Sequence, residues 1–255
     1  GIAIGPMIGG FLSSISYTIT FILAGSGMLI YSLLMAFFAQ ETLPQRVSPS
    51  ENIMKMFGGY LQVFHDSKFL SFIGAFILAQ MCAVLIWILM PVYANGIYNI
   101  SESQYGFIPA TNALMVVFLQ VYVTNITKRY RPLPVMALGT FFYTIAVGSV
   151  ALSHSFIGFW INIVIMTVGE LILMPTASAY AAGLAPTEMR GRYMSVVGLS
   201  WSAAAGIAPL MGGYLNDNVS PVATWYGGFL IGIIGILDFI YLSRKETHVQ
   251  NAIIS

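Results

Sequence analysis

Apolar residues dominate this chain in long uninterrupted runs rather than in amphipathic patches. A stretch of about 20 apolar residues is long enough to cross the ~30 Å hydrocarbon core of a bilayer as a helix. Segments that meet or approach this length are Gly1 to Leu12, Tyr17 to Gln40, Phe69 to Ala94, Tyr105 to Ile126, Pro132 to Leu152, Phe156 to Ala185, Tyr193 to Leu215 and Pro221 to Leu242. None alternates with period two, so helices are expected rather than barrel strands. The pattern predicts an all-α membrane protein of about eight transmembrane helices. The first is incomplete, because the chain opens at Gly1-Ile2-Ala3 inside an apolar segment.

Polar residues punctuate these runs as one long linker, Glu41 to Lys68, and six short turns. The linker carries Pro44, Ser48, Pro49, Ser50 and Glu51, followed by an amphipathic stretch from Ile53 to Phe64. Such a stretch suits the membrane surface, and the linker is the natural domain boundary.

Composition strengthens the membrane reading. Only 7% of the 255 residues are charged against 58% hydrophobic, with a mean hydropathy of +0.83; soluble domains carry about 25% charged residues. An exterior so poor in charge must meet lipid, where the backbone has to satisfy its own hydrogen bonds. The net charge of +1 suggests no nucleic-acid partner. Cys82, the single cysteine, has no intrachain disulfide partner.

The position of each charge says more than the total. Arg46, Lys55 and Lys68 lie in the linker, Lys128, Arg129 and Arg131 after the fourth span, Arg190 and Arg192 after the sixth, and Arg244 and Lys245 after the last. All belong to one side of an eight-span map, and the opposite loops hold no Lys or Arg. Random placement would give this roughly once in a thousand trials, so the basic side is assigned to the cytoplasm. The linker and C-terminus are therefore expected there, in a plasma membrane of bacterial type.

An internal repeat organises the spans. Gly1-Ile2-Ala3-Ile4-Gly5-Pro6-Met7-Ile8-Gly9-Gly10-Phe11-Leu12 aligns with Ala204-Ala205-Gly206-Ile207-Ala208-Pro209-Leu210-Met211-Gly212-Gly213-Tyr214-Leu215. Each copy precedes one further helix that ends on the basic side, so the two copies run in the same direction. Parallel repeats of this kind relate the halves of one large transporter class. Small residues at Gly1, Gly5 and Gly9, and at Ala204, Ala208 and Gly212, let helices approach closely, and Pro6 and Pro209 add bends. Two readings are open: sliding surfaces between rocking halves, involving Gly10 and Gly213 as well, or static helix packing.

These residues give the chain a family resemblance. Gly1-x-x-x-Gly5-Pro6-x-x-Gly9-Gly10 resembles the antiporter motif on the fifth helix of the drug:proton antiporter branch of the major facilitator superfamily. Tyr105-Gly106, Asn112 and Gln120, Gly169-Glu170 with Pro175, and Arg190-Gly191-Arg192-Tyr193-Met194 resemble features of its eighth helix, tenth helix and ten-to-eleven loop. The resemblance implies that the spans are helices 5 to 12 of a major-facilitator-type bundle truncated at its N-terminus. About 130 residues, helices 1 to 4, would precede them. It further implies residues 1–40 as the last two helices of the N-terminal half, 41–68 as linker, 69–243 as the C-terminal six-helix half and 244–255 as a tail. The loop Thr127-Lys128-Arg129-Tyr130-Arg131 departs from the family's Asp-Arg-x-Gly-Arg-Arg pattern, lacking its Asp and Gly.

Chemistry inside a membrane is sought first among ionisable groups, since a charge at the bilayer centre costs at least ~2.5 kcal/mol. Glu170 lies mid-span, with Thr167 one turn before it and no Lys or Arg at its depth. Such a carboxyl is protonated, hydrated in a cavity, or paired. It is either a proton-coupling or cation-binding group, or a protonated interhelical link. Asp238 lies six residues before Arg244, within reach of the interface, where a structural role is expected. Pro175 loosens the helix after Glu170. Phe72, Phe76, Gln80, Val84 and Trp87 recur at helical spacing. They form either an amphipathic substrate wall or a packing stripe, and Asn112 and Gln120 offer the same two choices.

The expected function is a secondary transporter, a proton-coupled exporter of small amphipathic molecules by alternating access. Its expected partners are a small-molecule substrate, a proton or other coupling ion and the lipid bilayer; a monomer is expected and no cofactor. A facilitator or importer of the same fold without proton coupling is the nearest alternative. A non-transporting scaffold or receptor is the alternative of a different class. An intramembrane enzyme is disfavoured, since the spans hold neither His nor Gly-x-Ser-x-Gly. His65, His154 and His248 lie apart on loops without ligand spacing, so no metal site is expected.

Overall fold

The computed structural model describes residues 5–38 and 60–254. Gly1 and most of the linker, including the larger part of the expected amphipathic stretch, lie outside the described residues; 60–65 form a short helical turn. The described chain is helical, as α1 (Gly5–Ile15), α2 (Tyr17–Phe38), α3 (Ser67–Tyr98), α4 (Glu102–Thr127), α5 (Pro132–Leu152), α6 (Phe156–Leu184), α7 (Arg190–Asn218) and α8 (Ala223–Ile254). Helices α2 to α8 are long and apolar enough to cross a membrane. Their order and spacing follow the apolar runs, with ends displaced by up to four residues except in α8, which continues as helix through most of the expected tail to Ile254, and the protein is an integral membrane protein.

Local chemistry sets the boundaries. Asp66 caps α3, its Oδ1 accepting from the Phe69 amide at 3.0 Å. At the far end Asn99 adopts the left-handed conformation (φ 54°) and closes the helix, a task suited to Asn. Ser101 and Gln104 form a reciprocal capping box at the start of α4. Pro132 begins α5, where its missing N–H costs nothing.

Within α3 the residues Leu85–Leu89 form a π-helical turn immediately ahead of Pro91. Pro91 removes the amide that would serve the Trp87 carbonyl, and a widened turn is one way a helix absorbs that loss.

Without a hydrophobic drive between helices in lipid, small residues allow the close contacts. Helix α5 is packed between α6 and α8. A methyl built on Gly169 would lie 2.7 Å from the Gly139 carbonyl oxygen, and one on Gly148 would lie 2.6 Å from the Phe229 ring. Gly212 of α7 seats against Leu85 and Leu89 of the π turn and against Thr224 of α8, with Ala204 and Ala208 buried below it. Gly228 also meets Leu85.

The two glycine-proline segments have different surroundings. In the first, Gly10 abuts the Glu102 carbonyl and Gly106 of α4, whereas nothing lies within 4 Å of a methyl on Gly5 or Gly9. In the second, Gly212 is locked among α3, α7 and α8, and Gly213 is open. The equivalence in sequence thus becomes two distinct contacts. One joins α1 to α4, and the other is internal to the bundle that follows the linker.

Apolar side chains cover the exterior. Helix α2 buries none of its residues, and α4 exposes Val117, Phe118, Val121 and Tyr122.

Candidate functional site

Glu170 sits half-buried on α6, one residue beyond the Gly169 contact that draws α6 against α5. Its carboxylate is held from α4. Asn112 Nδ2 donates to Glu170 Oε2 at 2.7 Å and to Thr167 Oγ1 at 2.9 Å. Asn112 is 5% exposed and Thr167 fully buried. The Thr167 hydroxyl spends its own hydrogen on the Ile163 carbonyl at 2.7 Å, which leaves its oxygen free to accept from Asn112. One carboxamide therefore ties a carboxylate and a hydroxyl, one turn apart on α6, to α4.

Pro175 shapes the next turn. It has no N–H for the Leu171 carbonyl, and Gln120 of α4 fills that role, its Nε2 lying 3.2 Å from Leu171 O and 2.9 Å from Thr124 Oγ1. The adjacent Ile172 carbonyl accepts from Thr176 Oγ1 at 2.6 Å. The side chains of Asn112 and Gln120, two turns apart on one face of α4, thus grip α6 on either side of the Glu170–Leu171 step. On the side of the break nearer the basic loops, a cavity of about 420 Å³ opens between α4 and α6. Thr124, Thr127 and Lys128 line one wall, and Pro175, Thr176 and Gly183 the other.

The α3 stripe is placed differently from a continuous wall. Phe76 is buried in the core, stacked on Phe72 with ring centroids 5.7 Å apart, and Phe72 meets Tyr180 of α6 edge-on at 5.2 Å. Gln80 is 2% exposed and its Oε1 has no hydrogen-bond partner among the described residues. Phe72 pairs with Tyr180 and Tyr93 with Phe159, which brings Gln80 to the depth of Ile172, close to that of Glu170. Trp87 falls within the π turn and is half-buried, so the even helical spacing that joins it to Phe76 and Gln80 is interrupted there.

The basic end carries a polar tie with no counterpart among the expected site residues. Lys68 Nζ lies 2.6 Å from Glu246 Oε1, which also accepts from Tyr180 Oη at 2.7 Å. Tyr193 Oη donates to Asp66 Oδ2 at 2.9 Å while its ring packs on Phe69. At the opposite end Tyr17 of α2 donates to Glu102 of α4, and Tyr98 pairs with His154 at 2.8 Å. Their partners are far apart in sequence, so spacing along the chain could not disclose them. The Gln120 contact did leave a trace, since any helical proline frees the carbonyl four residues before it.

Comparison with known proteins agrees with this architecture. A family model described as Major Facilitator Superfamily matches residues 72–253. The chain belongs to the major facilitator superfamily. Within the superfamily it is 24% identical to YhjO of Bacillus subtilis, an uncharacterized MFS-type transporter, over 97% of this chain and 60% of the relative. It is 22% identical to a Na(+), Li(+), K(+)/H(+) antiporter of Planococcus maritimus, over 94% of this chain and 62% of that protein. The multidrug resistance protein MdtH of Yersinia enterocolitica is 23% identical, over all of this chain and 63% of MdtH. The chain thus spans less than two thirds of the length of these relatives. Among solved structures, the peptide transporter POT (E310Q mutant, in complex with sulfate) superposes with a TM-score of 0.55 at 19% identity, over 91% of this chain and 54% of that one. This likeness concerns the fold.

Proposed function

We propose that the protein works as a proton-coupled secondary transporter that exports small amphipathic molecules, with Glu170 as the group that binds and releases the proton. The observation that carries this reading is a half-buried carboxylate in the middle of α6 that accepts from the neutral carboxamide of Asn112, which also donates to Thr167. Among the described residues this carboxylate forms no ion pair. It can be neutralised by a proton or by a cationic substrate, and competition between the two couples their movements. Alternating access in this family uses rocking of two halves about a midplane site. Residues 69–243 would form one half, 1–40 would belong to the other, and 41–68 would link them, with the basic loops in the cytoplasm of a bacterial-type cell. The antiporter and multidrug resistance names among the relatives support an exporter over an importer.

The test is Glu170→Gln in the intact protein reconstituted in vesicles. Efflux of a cationic dye driven by a pH gradient should be abolished, while exchange down a dye gradient alone persists. If pH-gradient-driven efflux is unchanged, Glu170 is a structural link between α4 and α6 and not the coupling group; if the unmutated protein shows no pH-gradient-driven efflux, it is a facilitator.

A further inference from the structure

Gln120 occupies a place that helix geometry makes special. In a regular helix the Leu171 carbonyl would accept from the amide of residue 175, and here that residue is Pro175. A buried carbonyl without a donor is unfavourable in an apolar setting, and Gln120 Nε2 supplies the donor from another helix. Thr176 Oγ1 reinforces the neighbouring Ile172 carbonyl, a type of back-bond that bends helices. The contact lies at the apex of a wedge. On one side of it Asn112 holds Glu170 and Thr167 against α4. On the other side α4 and α6 separate around the 420 Å³ cavity.

We propose that Gln120 is a positioning residue, an interhelical stand-in for the amide that Pro175 lacks, which sets the bend of α6 and so the separation between Glu170 and the mouth of the wedge. The link to transport rests on the role proposed for Glu170; the link to the bend does not. While Gln120 holds Leu171, the half of α6 that carries Glu170 is anchored to α4. Release of this one bond lets the half that follows Pro175 swing without disturbing the Asn112 contacts.

The arrangement predicts a specific epistasis. Pro175→Ala restores the missing amide and makes Gln120 redundant, whereas a side chain that merely fills space would matter equally in both backgrounds. The experiment uses the intact protein in lipid nanodiscs with Cys82→Ser, and spin labels on Lys128→Cys and Gly183→Cys at the two walls of the wedge. Both label sites are exposed, and nothing lies within 4 Å of a methyl on Gly183. Gln120→Leu should shift or broaden the label distance when Pro175 is present and leave it unchanged when Pro175→Ala is combined with it. Gln120→Met, close in volume but without the amide donor, should behave like Gln120→Leu. In parallel, ethidium efflux from vesicles should fall about fivefold to tenfold in kcat with little change in KM, as expected for one lost hydrogen bond; Pro175→Ala should remove most of that difference.

An equal label shift in both backgrounds, or none in either, overturns the proposal. If the distances follow the predicted epistasis while Glu170→Gln leaves pH-driven efflux intact, the hinge stands and the role proposed for Glu170 falls. If Glu170→Gln abolishes coupling while the distances ignore Pro175, the reverse holds.

Discussion

Gly169 of α6 and Gly139 of α5 meet so closely that a methyl on Gly169 would lie 2.7 Å from the Gly139 carbonyl oxygen and 2.8 Å from the Tyr143 ring. Glu170 is the next residue, so its position depends on this contact. Gly169→Ala should push α6 from α5 and cost ~1–3 kcal/mol, the usual range for overpacking, read as a lower unfolding temperature in detergent. Gly183→Ala, on the same helix but in open space, should not lower that temperature, since Ala suits a helix better than Gly.

Asn112 serves two acceptors with one carboxamide. Asn112→Leu keeps the bulk but strips the donor from both Glu170 and Thr167. Loss of a hydrogen bond to a charged acceptor is worth ~1.5–3 kcal/mol, and proton-driven efflux should fall by more than tenfold. Asn112→Gln should recover part of the activity if donation is the role, and none if shape alone matters.

The ion pair between Lys68 and Glu246 invites overvaluation. Lys68 is 55% exposed, and exposed pairs contribute ~0–1 kcal/mol. Lys68→Met should therefore shift the unfolding temperature little. Asp66→Ala should cost more, ~0.5–2 kcal/mol from the lost cap, because the same carboxylate also accepts from Tyr193. Comparing the two variants in one thermal assay separates the effects.

The one-sided Lys and Arg residues predict an orientation that labelling can check. In whole cells with Cys82→Ser, a membrane-impermeant thiol reagent should modify a cysteine at Asp217, in the loop without Lys or Arg. It should miss one at Arg129 until the membrane is broken. Labelling in the opposite order reverses the proposed topology.

The number of spans and their approximate ends were legible because length and apolarity alone set them. Which face of each helix turns inward was not. Helix α6 is apolar around its whole circumference, and the period that reveals a buried stripe in a soluble protein is erased where lipid is also apolar. Glu170 could be singled out by charge, and Asn112 and Gln120 by polarity. Their bond partners, by contrast, are a carboxylate on another helix and a backbone carbonyl exposed by a proline four residues downstream. The repeat was visible as letters, yet Gly10 and Gly212 meet unrelated neighbours, since the contacts of a glycine are set by what packs on it. The spacing from Phe76 to Trp87 assumes a regular helix, and the π turn at Leu85–Leu89 interrupts it.

That irregular turn bears on how the chain tolerates insertion and deletion. A π turn holds one more residue than an α turn would, and residues on either side of it are offset by about 100° relative to an unbroken helix. Deleting a single residue there would not simply shorten α3. It would rotate everything beyond it, carrying Tyr93 away from Trp225, 5.1 Å from it between ring centroids, and emptying the seat in which Gly212 receives Leu85 and Leu89. The outer third of the helix is thus indexed to its neighbours like a gear tooth, and the extra residue is the tooth.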